Sequence, residues 1–332
     1  MKIIEPSAKY LDKLGKRPAE FIEYIGRTCY KSNDLITPTS ADKFFDDIIK
    51  RKHYAMTEHY WVHFIVRDAS LRFFYNFLDS MAYQLFNWRL SDILKHIETS
   101  ETKDGVFVSM PLRVPLEWAD RAREISNYNV PLLGALCNHK DPLFTKLFGD
   151  FVSTNNVEVY EEYEFIQLLK EAIEDEDKFN IEVMKHRTHT LLFVCDRGVS
   201  HELVRHRPCS FAQESTRYCN YSKDKFGNEI TVIKPFFFGD EDSPLYQSWL
   251  MGVEESEHAY FLLLAKGASP QEARSVLPNS LKTEIIVTAN EVEWQHIINL
   301  RYHGTTGAPH PQMKEVMTLA YEELIKVGAN IE

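Results

Sequence analysis

Two runs of aromatic and β-branched residues, far apart in the sequence, most constrain the fold of this chain. Residues 60–66 read YWVHFIV and residues 190–195 read TLLFVC, and both compositions favour strands. About 120 residues separate the runs, and their pattern is mainly helical. The sequence therefore predicts an α+β fold that is rich in helices and contains a small mixed or antiparallel sheet.

Helix-capping residues give the clearest local predictions. Residues 269–272 read Ser-Pro-Gln-Glu, which combines an N-cap serine, a proline at the first helical position and a capping-box glutamate. Asn290 and Glu293 repeat the capping logic, and Ser40 is a plausible N-cap for a helix over 40–53. No internal repeat or low-complexity linker divides the sequence. We therefore expect one domain over residues 1–332.

The charge balance limits the partners of the protein. Lys and Arg number 38 against 49 Asp and Glu, which gives a formal net charge of -11. This charge argues against broad binding to nucleic acid or to an anionic membrane. A smaller anionic ligand would need a local basic site, and one stretch of the sequence supplies it. The basic residues of this stretch are Arg197, His201, Arg205, His206, Arg207 and Arg217.

Cysteine usage and the amino-terminal residues indicate the compartment. Five cysteines are an odd number, scattered and without CxxC spacing, so neither a disulfide framework nor a structural zinc site is predicted. The first residues lack a basic region followed by an apolar run, and no uninterrupted apolar stretch approaches 18 residues. We expect a soluble protein of the reducing cytoplasm.

The basic stretch contains a spaced motif. Arg205, His206 and Arg207 are followed by seven residues, then by Ser215, and by Arg217 two positions later. At residue frequencies of roughly 5%, these five positions coincide by chance on the order of once in ten thousand such chains. An isolated Arg-His-Arg is more often a solvated helix end with minor ion pairs. Guanidinium groups bind phosphate through paired, charge-assisted hydrogen bonds, so the full motif predicts a ligand with several phosphates, such as a dinucleotide beside a nucleotide monophosphate.

This motif resembles the signature of flavin-dependent thymidylate synthases, the ThyX family. The resemblance covers roughly residues 20–66 and 190–325, and it implies a ThyX-like fold with a mainly helical insertion at about 69–185. It implies FAD as the cofactor, NADPH as the reductant of the flavin and methylenetetrahydrofolate as the carbon donor, for reductive methylation of deoxyuridylate (dUMP) to thymidylate (dTMP). It further implies a homotetramer with its sites at subunit interfaces.

The resemblance also implies roles for individual residues. Arg301 would polarise the uracil ring, His53 would lie by the flavin and its reaction partner, and Ser215 would act in the site as a ligand-binding hydroxyl. The other residues implied to bind dUMP are Glu202, Arg205, Gln213, Glu214, Thr216, Arg217 and Arg274. The residues implied to bind FAD are His53, Arg205, His206, Arg207, Asn290 and His296.

Three positions depart from the family pattern. Glu202 stands where many members have Gln, Gln213 stands where many have Glu, and Val292 stands where some have Arg. The changes at 202 and 213 partly offset one another in charge. None of them alters the reaction class that the resemblance implies.

The sequence predicts no protein nucleophile. Cys209 and Cys219 flank the motif without an assigned base to activate a thiolate, which favours small packing residues. No His/Asp pairing of the serine-hydrolase type can be read around Ser215. Reduced flavin, not a cysteine, would then carry the redox part of the reaction.

Two other functions remain open at this stage. A nucleotide-binding or RNA-binding module could use the basic cluster without chemistry, and strong salt-dependent RNA binding would support it. A metal-dependent hydrolase could use His53, His59, His63 and His310, and it would require stoichiometric metal. No carboxylate or cysteine motif completes such a site, so no metal ligands are predicted.

Overall fold

The computed structural model describes residues 1–13, 15–125, 128–217, 219–223 and 227–332. Its strands are β1 (Lys2–Ile4), β2 (Ser7–Tyr10), β3 (Trp61–Val66), β4 (Glu98–Thr102), β5 (Gly105–Pro111), β6 (Val157–Tyr160), β7 (Thr188–Asp196), β8 (Ser210–Gln213), β9 (Thr231–Ile233) and β10 (Lys282–Asn290).

Helices make up most of the remaining regular structure. They are α1 (Pro18–Tyr30), α2 (Ser40–Lys50), α3 (Leu71–Phe86), α4 (Leu90–Leu94), α5 (Arg113–Glu124), α6 (Pro131–Ala135), α7 (Pro142–Phe148), α8 (Glu162–Ala172), α9 (Glu176–His186), α10 (Arg197–Leu203), α11 (Pro244–Ala265), α12 (Pro270–Ala273), α13 (Glu291–Ile298) and α14 (Pro311–Lys326). The α+β class predicted from the sequence is confirmed. No helix within the described ranges is long and apolar enough to cross a bilayer.

One four-stranded antiparallel sheet has the order β2-β7-β10-β8. Strands β7 and β10 pair along nine residues, from Lys282 opposite Asp196 to Asn290 opposite Thr188. Strand β8 pairs with the middle of β10, which fixes where the motif of residues 205–217 meets the sheet. A short parallel pair, β1 with β9, adjoins this sheet through a bridge between Val232 and Leu281.

The second four-stranded sheet, with the order β4-β5-β3-β6, is also antiparallel. Three of its strands belong to the segment 69–185, which the sequence analysis expected to be mainly helical. Strand β4 reads ETSET and offers no apolar pattern, whereas all seven residues of β5 are buried. A strand buried on both faces lacks the alternation that identifies strands in a sequence, so these strands were missed.

Apolar packing joins the two sheets. The largest cluster runs from Phe21 on α1 through Leu78 and Phe144 in the segment 69–185 to Ala212 and Ile286 of the first sheet. The segment therefore shares a core with the rest of the chain. A second cluster lies under α13 and α14 around the fully buried Trp294, whose indole N–H donates to the backbone oxygen of His189 at 3.1 Å.

The capping predictions can be compared directly with the structure. The Glu272 carboxylate accepts from the Ser269 backbone N–H at 2.8 Å, and the Asn290 side-chain oxygen accepts from the Glu293 N–H at 3.0 Å. Both predictions are confirmed. The prediction for Ser40 is wrong by one position, because the helix is capped at Thr39 and Ser40 is its first residue.

Candidate active site

Arg301 is the centre of a polar cluster on the surface of the chain. It lies in a single π-helical turn, Asn299–His303, which follows α13 directly. One terminal nitrogen donates to Glu202 Oε2 at 2.8 Å, and the Nε–H donates to His206 Nε2 at 3.1 Å. The site therefore joins the end of α10 and the start of the motif to a residue about a hundred positions later.

The protonation of His206 follows from this contact. Since Arg301 can only donate, His206 Nε2 accepts and the ring proton lies on Nδ1. Burial, together with the nearby Arg301 and His296, lowers the pKa of His206 to about 4. His206 is therefore a neutral acceptor at pH 7, and it orients the guanidinium without adding charge.

Glu293 and His296 extend the cluster. The rings of His206 and His296 are 6.1 Å apart in an edge-to-face arrangement. Burial raises the pKa of Glu293 to about 7, and its Oε1 has no hydrogen-bond partner among the described residues. In the sequence, Glu293 is recognisable only as a capping partner. Its place in the site depends on burial, which the local sequence does not reveal.

A potential ligand group for a metal ion arises here, which the sequence analysis did not predict. His206, Glu293 and His296 each offer one ligand atom, and these three atoms lie within 4.8 Å of one another. The Nε–H of Arg301 already occupies His206 Nε2, and its positive charge opposes a second cation nearby. We therefore interpret these three residues as a polar cluster beside Arg301.

Asn290 is fixed by its neighbours. Besides capping α13, its amide donates to Glu98 Oε1 at 3.2 Å and to the backbone oxygen of Lys185 at 3.1 Å. Both ends of the side chain are thus used within the chain. Asn290 joins the first sheet to β4 of the segment 69–185.

A second group of predicted residues lies around the loop that follows β8. Arg274 donates to the hydroxyl of the buried Thr216 at 3.2 Å. The Gln213 amide donates to Ser200 Oγ at 2.8 Å and to Thr283 Oγ1 at 3.2 Å. Arg217 is exposed. These contacts hold the loop so that a guanidinium and a hydroxyl lie side by side.

Hydrogen bonds to neighbouring elements fix Ser215 and Glu214 in place. The Ser215 N–H donates to the backbone oxygen of Cys29 at 3.1 Å. The buried Glu214 carboxylate accepts from Lys282 Nζ at 3.0 Å and from the Glu284 N–H at 3.2 Å. With Lys31 and Lys282, Glu214 lines a cavity of about 630 Å³. The ion pair between Glu214 and Lys282 therefore stabilises the loop from the interior of the protein.

Three further predicted residues lie at the surface. His53, Arg205 and Arg207 are exposed. Arg207 instead lines a cavity of about 940 Å³ together with Cys209 and Ser210. These three side chains are therefore accessible to a ligand.

The histidines of the hydrolase hypothesis have other partners. His59 Nδ1 contacts Thr288 Oγ1 at 2.8 Å, His63 Nδ1 contacts Ser109 Oγ at 2.8 Å, and the His310 side chain caps α14. They do not form a ligand group among the residues that the structure describes. The structure offers this hypothesis no support.

The cysteines near the motif are packed thiols. No disulfide joins the cysteines in the described part of the chain, and Cys219 is buried. Burial raises the pKa of Cys209, and the nearby Glu293 raises it further. A thiol of raised pKa is a poor nucleophile, in agreement with the interpretation of Cys209 and Cys219 as packing residues.

Comparison with known proteins identifies the family of this chain. A family model described as thymidylate synthase complementing protein matches residues 150–328. A flavin-dependent thymidylate synthase of Pyrococcus furiosus is 34% identical over 120 residues, which cover 36% of this chain and 48% of the relative. One of Pyrococcus horikoshii is 31% identical over 168 residues, which cover 50% and 63%.

The matches are partial in length. The chain spans about half to two thirds of the curated relatives that it matches. A crystal structure of a UMP/dUMP methylase from Streptomyces cacaoi, bound with 5-Br UMP, shares 21% identity at a TM-score of 0.38 and covers 49% of this chain and 78% of that one. Because the family model matches more than half of the sequence, this chain belongs to the thymidylate synthase complementing protein family, the ThyX family that its Arg-His-Arg motif resembles.

Proposed function

We propose that this chain is a flavin-dependent thymidylate synthase that converts dUMP to dTMP. FAD is the cofactor, NADPH reduces it, and methylenetetrahydrofolate donates the carbon. The observation that carries the proposal is the Arg301 guanidinium, held by Glu202 and the neutral His206. Curated relatives with this activity support it.

Arg301 has hydrogen-bonding capacity left for a substrate. A guanidinium has five N–H donors, and the contacts to His206 and Glu202 use two of them. The side chain is 24% exposed, so the remaining donors can reach a ligand. A cation aimed at a uracil oxygen stabilises negative charge that develops on the ring. We therefore assign Arg301 the polarisation of the uracil.

The loop after β8 supplies groups for the nucleotide phosphate. Arg274 and Thr216 are already in contact, and Arg217 is exposed beside them. A phosphate accepts several charge-assisted hydrogen bonds from such a set. Arg205, Gln213, Glu214 and Ser215 complete the substrate group that we propose.

The chain offers groups that suit a flavin dinucleotide. The Arg207 guanidinium has no ion-pair partner in the described part of the chain and lines the cavity of about 940 Å³. Trp61, which also lines this cavity, has a buried Nε1 without a hydrogen-bond partner among the described residues. We propose that Arg205, Arg207, His206, Asn290, His296 and His53 hold the FAD, which in its reduced form supplies a hydride. The protein itself then has to bind and orient the ligands and to polarise the uracil.

A homotetramer agrees with the exposure of His53, Arg205 and Arg207. Facing copies of the chain would bring these exposed side chains to the sites of neighbouring copies, because a symmetric interface repeats each surface. We propose the tetramer with its sites at the interfaces on this ground.

Two arginine variants test the assignment. Arg301→Ala should abolish dTMP formation while most FAD binding is retained, because the residue acts on the uracil. Arg207→Ala should weaken FAD retention, because its guanidinium is proposed to bind the cofactor. FAD binding is measured by absorbance titration and dTMP by chromatography, with the exposed Arg72→Ala as a matched control. Intact activity and intact FAD binding in both variants would contradict the proposal.

A further inference from the structure

A cavity of about 940 Å³ separates the family motif from the segment 69–185. The motif side contributes Trp61, Arg207 and Ser210, and the other side contributes Trp88, Glu98 and Arg113. Its volume is typical of small-molecule sites. Residues 88–117 precede the stretch that the family model matches, 150–328. A part of the chain outside the matched stretch therefore completes a cavity whose opposite wall carries the motif.

The second wall is firmly attached to the first. Arg113 donates to the Glu58 carboxylate, and the Leu112 N–H donates to the Tyr60 backbone oxygen at 2.7 Å. Strand β5 also pairs with β3 along six residues. These contacts fix residues 105–113 to the elements that follow His53. Hydrogen bonds therefore fix this part of the wall in position.

The chemistry of the lining restricts the ligand. Trp88 is stacked on Phe86 at 4.5 Å and yet remains 46% exposed, which leaves indole surface for a flat ligand. Burial raises the pKa of the Glu98 carboxyl, which accepts from Asn290 and can accept from one more N–H donor. Trp61 Nε1 is buried without a partner among the described residues.

Charge on the lining is largely paired already. Arg113 contacts Glu58 and Glu117, and Lys95 lies 3.3 Å from Asp92. Arg207, by contrast, takes part in no ion pair within the described ranges. One cation thus remains for one anionic group of a ligand.

We propose that residues 88–117 form one wall of a binding site for a planar nitrogen heterocycle that carries an anionic group, with Trp88 as its stacking surface. This inference rests on the proposed function, and it gives the segment 69–185 a role in ligand binding. Two ligands of that function share this chemistry, FAD and the reduced folate. The carboxylate of Glu98 suits the N–H edge of either ring, and Arg207 suits a phosphate or a carboxylate.

Titration calorimetry on the full chain tests the inference with two probes, FAD and 5-formyltetrahydrofolate. Trp88→Ala should weaken binding of one probe about tenfold, which corresponds to about 1.4 kcal/mol. Trp88→Phe, which retains a stacking ring, should stay within about threefold of the wild type. Tyr83→Ala is the matched control, since Tyr83 is 70% exposed on α3, which ends two residues before Trp88, and lies outside the cavity lining.

A second readout covers the case in which Trp88→Ala does not fold. Ligand stacked on an indole quenches its fluorescence, so the quench seen with the wild type should shrink in Trp88→Phe. Circular dichroism and the thermal midpoint verify the fold of each variant. The inference is overturned if neither the fluorescence quench nor the affinity for either probe changes in the Trp88 variants.

The outcomes separate the inference from the proposed function. A loss confined to FAD assigns the wall to the cofactor, and a loss confined to the folate assigns it to the carbon donor. Unchanged binding by Trp88 variants of a protein that still makes dTMP overturns the inference alone. A wild-type protein that binds neither probe contradicts both.

Discussion

Glu202→Gln should accelerate the reaction, because it removes a negative charge from the group that polarises the uracil. Gln keeps a carbonyl oxygen in place of the carboxylate oxygen that accepts from Arg301 at 2.8 Å. The guanidinium therefore stays in position while its charge is no longer offset. Developing negative charge on the ring would meet a stronger positive field.

The magnitude follows from this geometry. A ligand oxygen bound to another N–H of Arg301 lies on the order of 5–6 Å from the Glu202 carboxylate. Two unit charges about 5.5 Å apart interact by about 0.8 kcal/mol at a dielectric constant of about 80 and by about 3 kcal/mol at about 20. The two side chains are 24% and 34% exposed, so the lower part of this range applies. We expect kcat to rise about fourfold to tenfold.

The assay is the rate of dTMP formation at saturating dUMP and folate, with the FAD content of each sample measured first. Glu322→Gln is the matched control, because it removes the same charge at an exposed position of α14. A kcat for Glu202→Gln that is unchanged or lower, at full FAD occupancy, would refute the electrostatic role given to the Arg301 cluster.

Two further predictions concern stability. Asn290→Ala removes the cap of α13 and the hydrogen bond to Glu98, so the free energy of unfolding in urea should fall by about 1 to 2 kcal/mol; an unchanged urea midpoint would contradict this. Burial raises the pKa of Glu293 from 4.5 to about 7, so the folded protein holds a proton that the unfolded chain releases, and stability should fall as pH rises through this window. Glu293→Gln should reduce that decline between pH 5 and pH 8, and equal declines in both proteins would show that Glu293 is not the cause.

Local sequence signals predicted the parts of the fold that depend on neighbouring residues. Ser269 with Glu272 and Asn290 with Glu293 mark helix starts because a cap needs only a few adjacent side chains. The aromatic run at 60–66 marks β3 for a similar reason. Strands β4 and β5 were missed because one is polar and the other is buried on both faces, so neither shows the expected period.

The site residues were likewise predictable only where a local motif contains them. The Arg-His-Arg motif identified residues that could bind phosphates, because guanidinium groups bind phosphate through charge-assisted hydrogen bonds. The pairing of Arg301 with Glu202 joins residues 99 positions apart, and no spacing in the sequence predicts it. The Glu293 Oε1, which has no hydrogen-bond partner among the described residues, and the stacked Trp88 depend on burial and on a cavity wall, which exist only once the chain is folded.

The proposed function depends most directly on flavin reduction coupled to the nucleotide. The measurement is the absorption spectrum of the purified protein with added FAD, followed by anaerobic NADPH with and without dUMP. We expect a bound-flavin spectrum that NADPH bleaches and a rate or spectrum that dUMP changes. Absence of any flavin binding would contradict the account and leave the Arg-His-Arg segment as a phosphate-binding surface without redox chemistry.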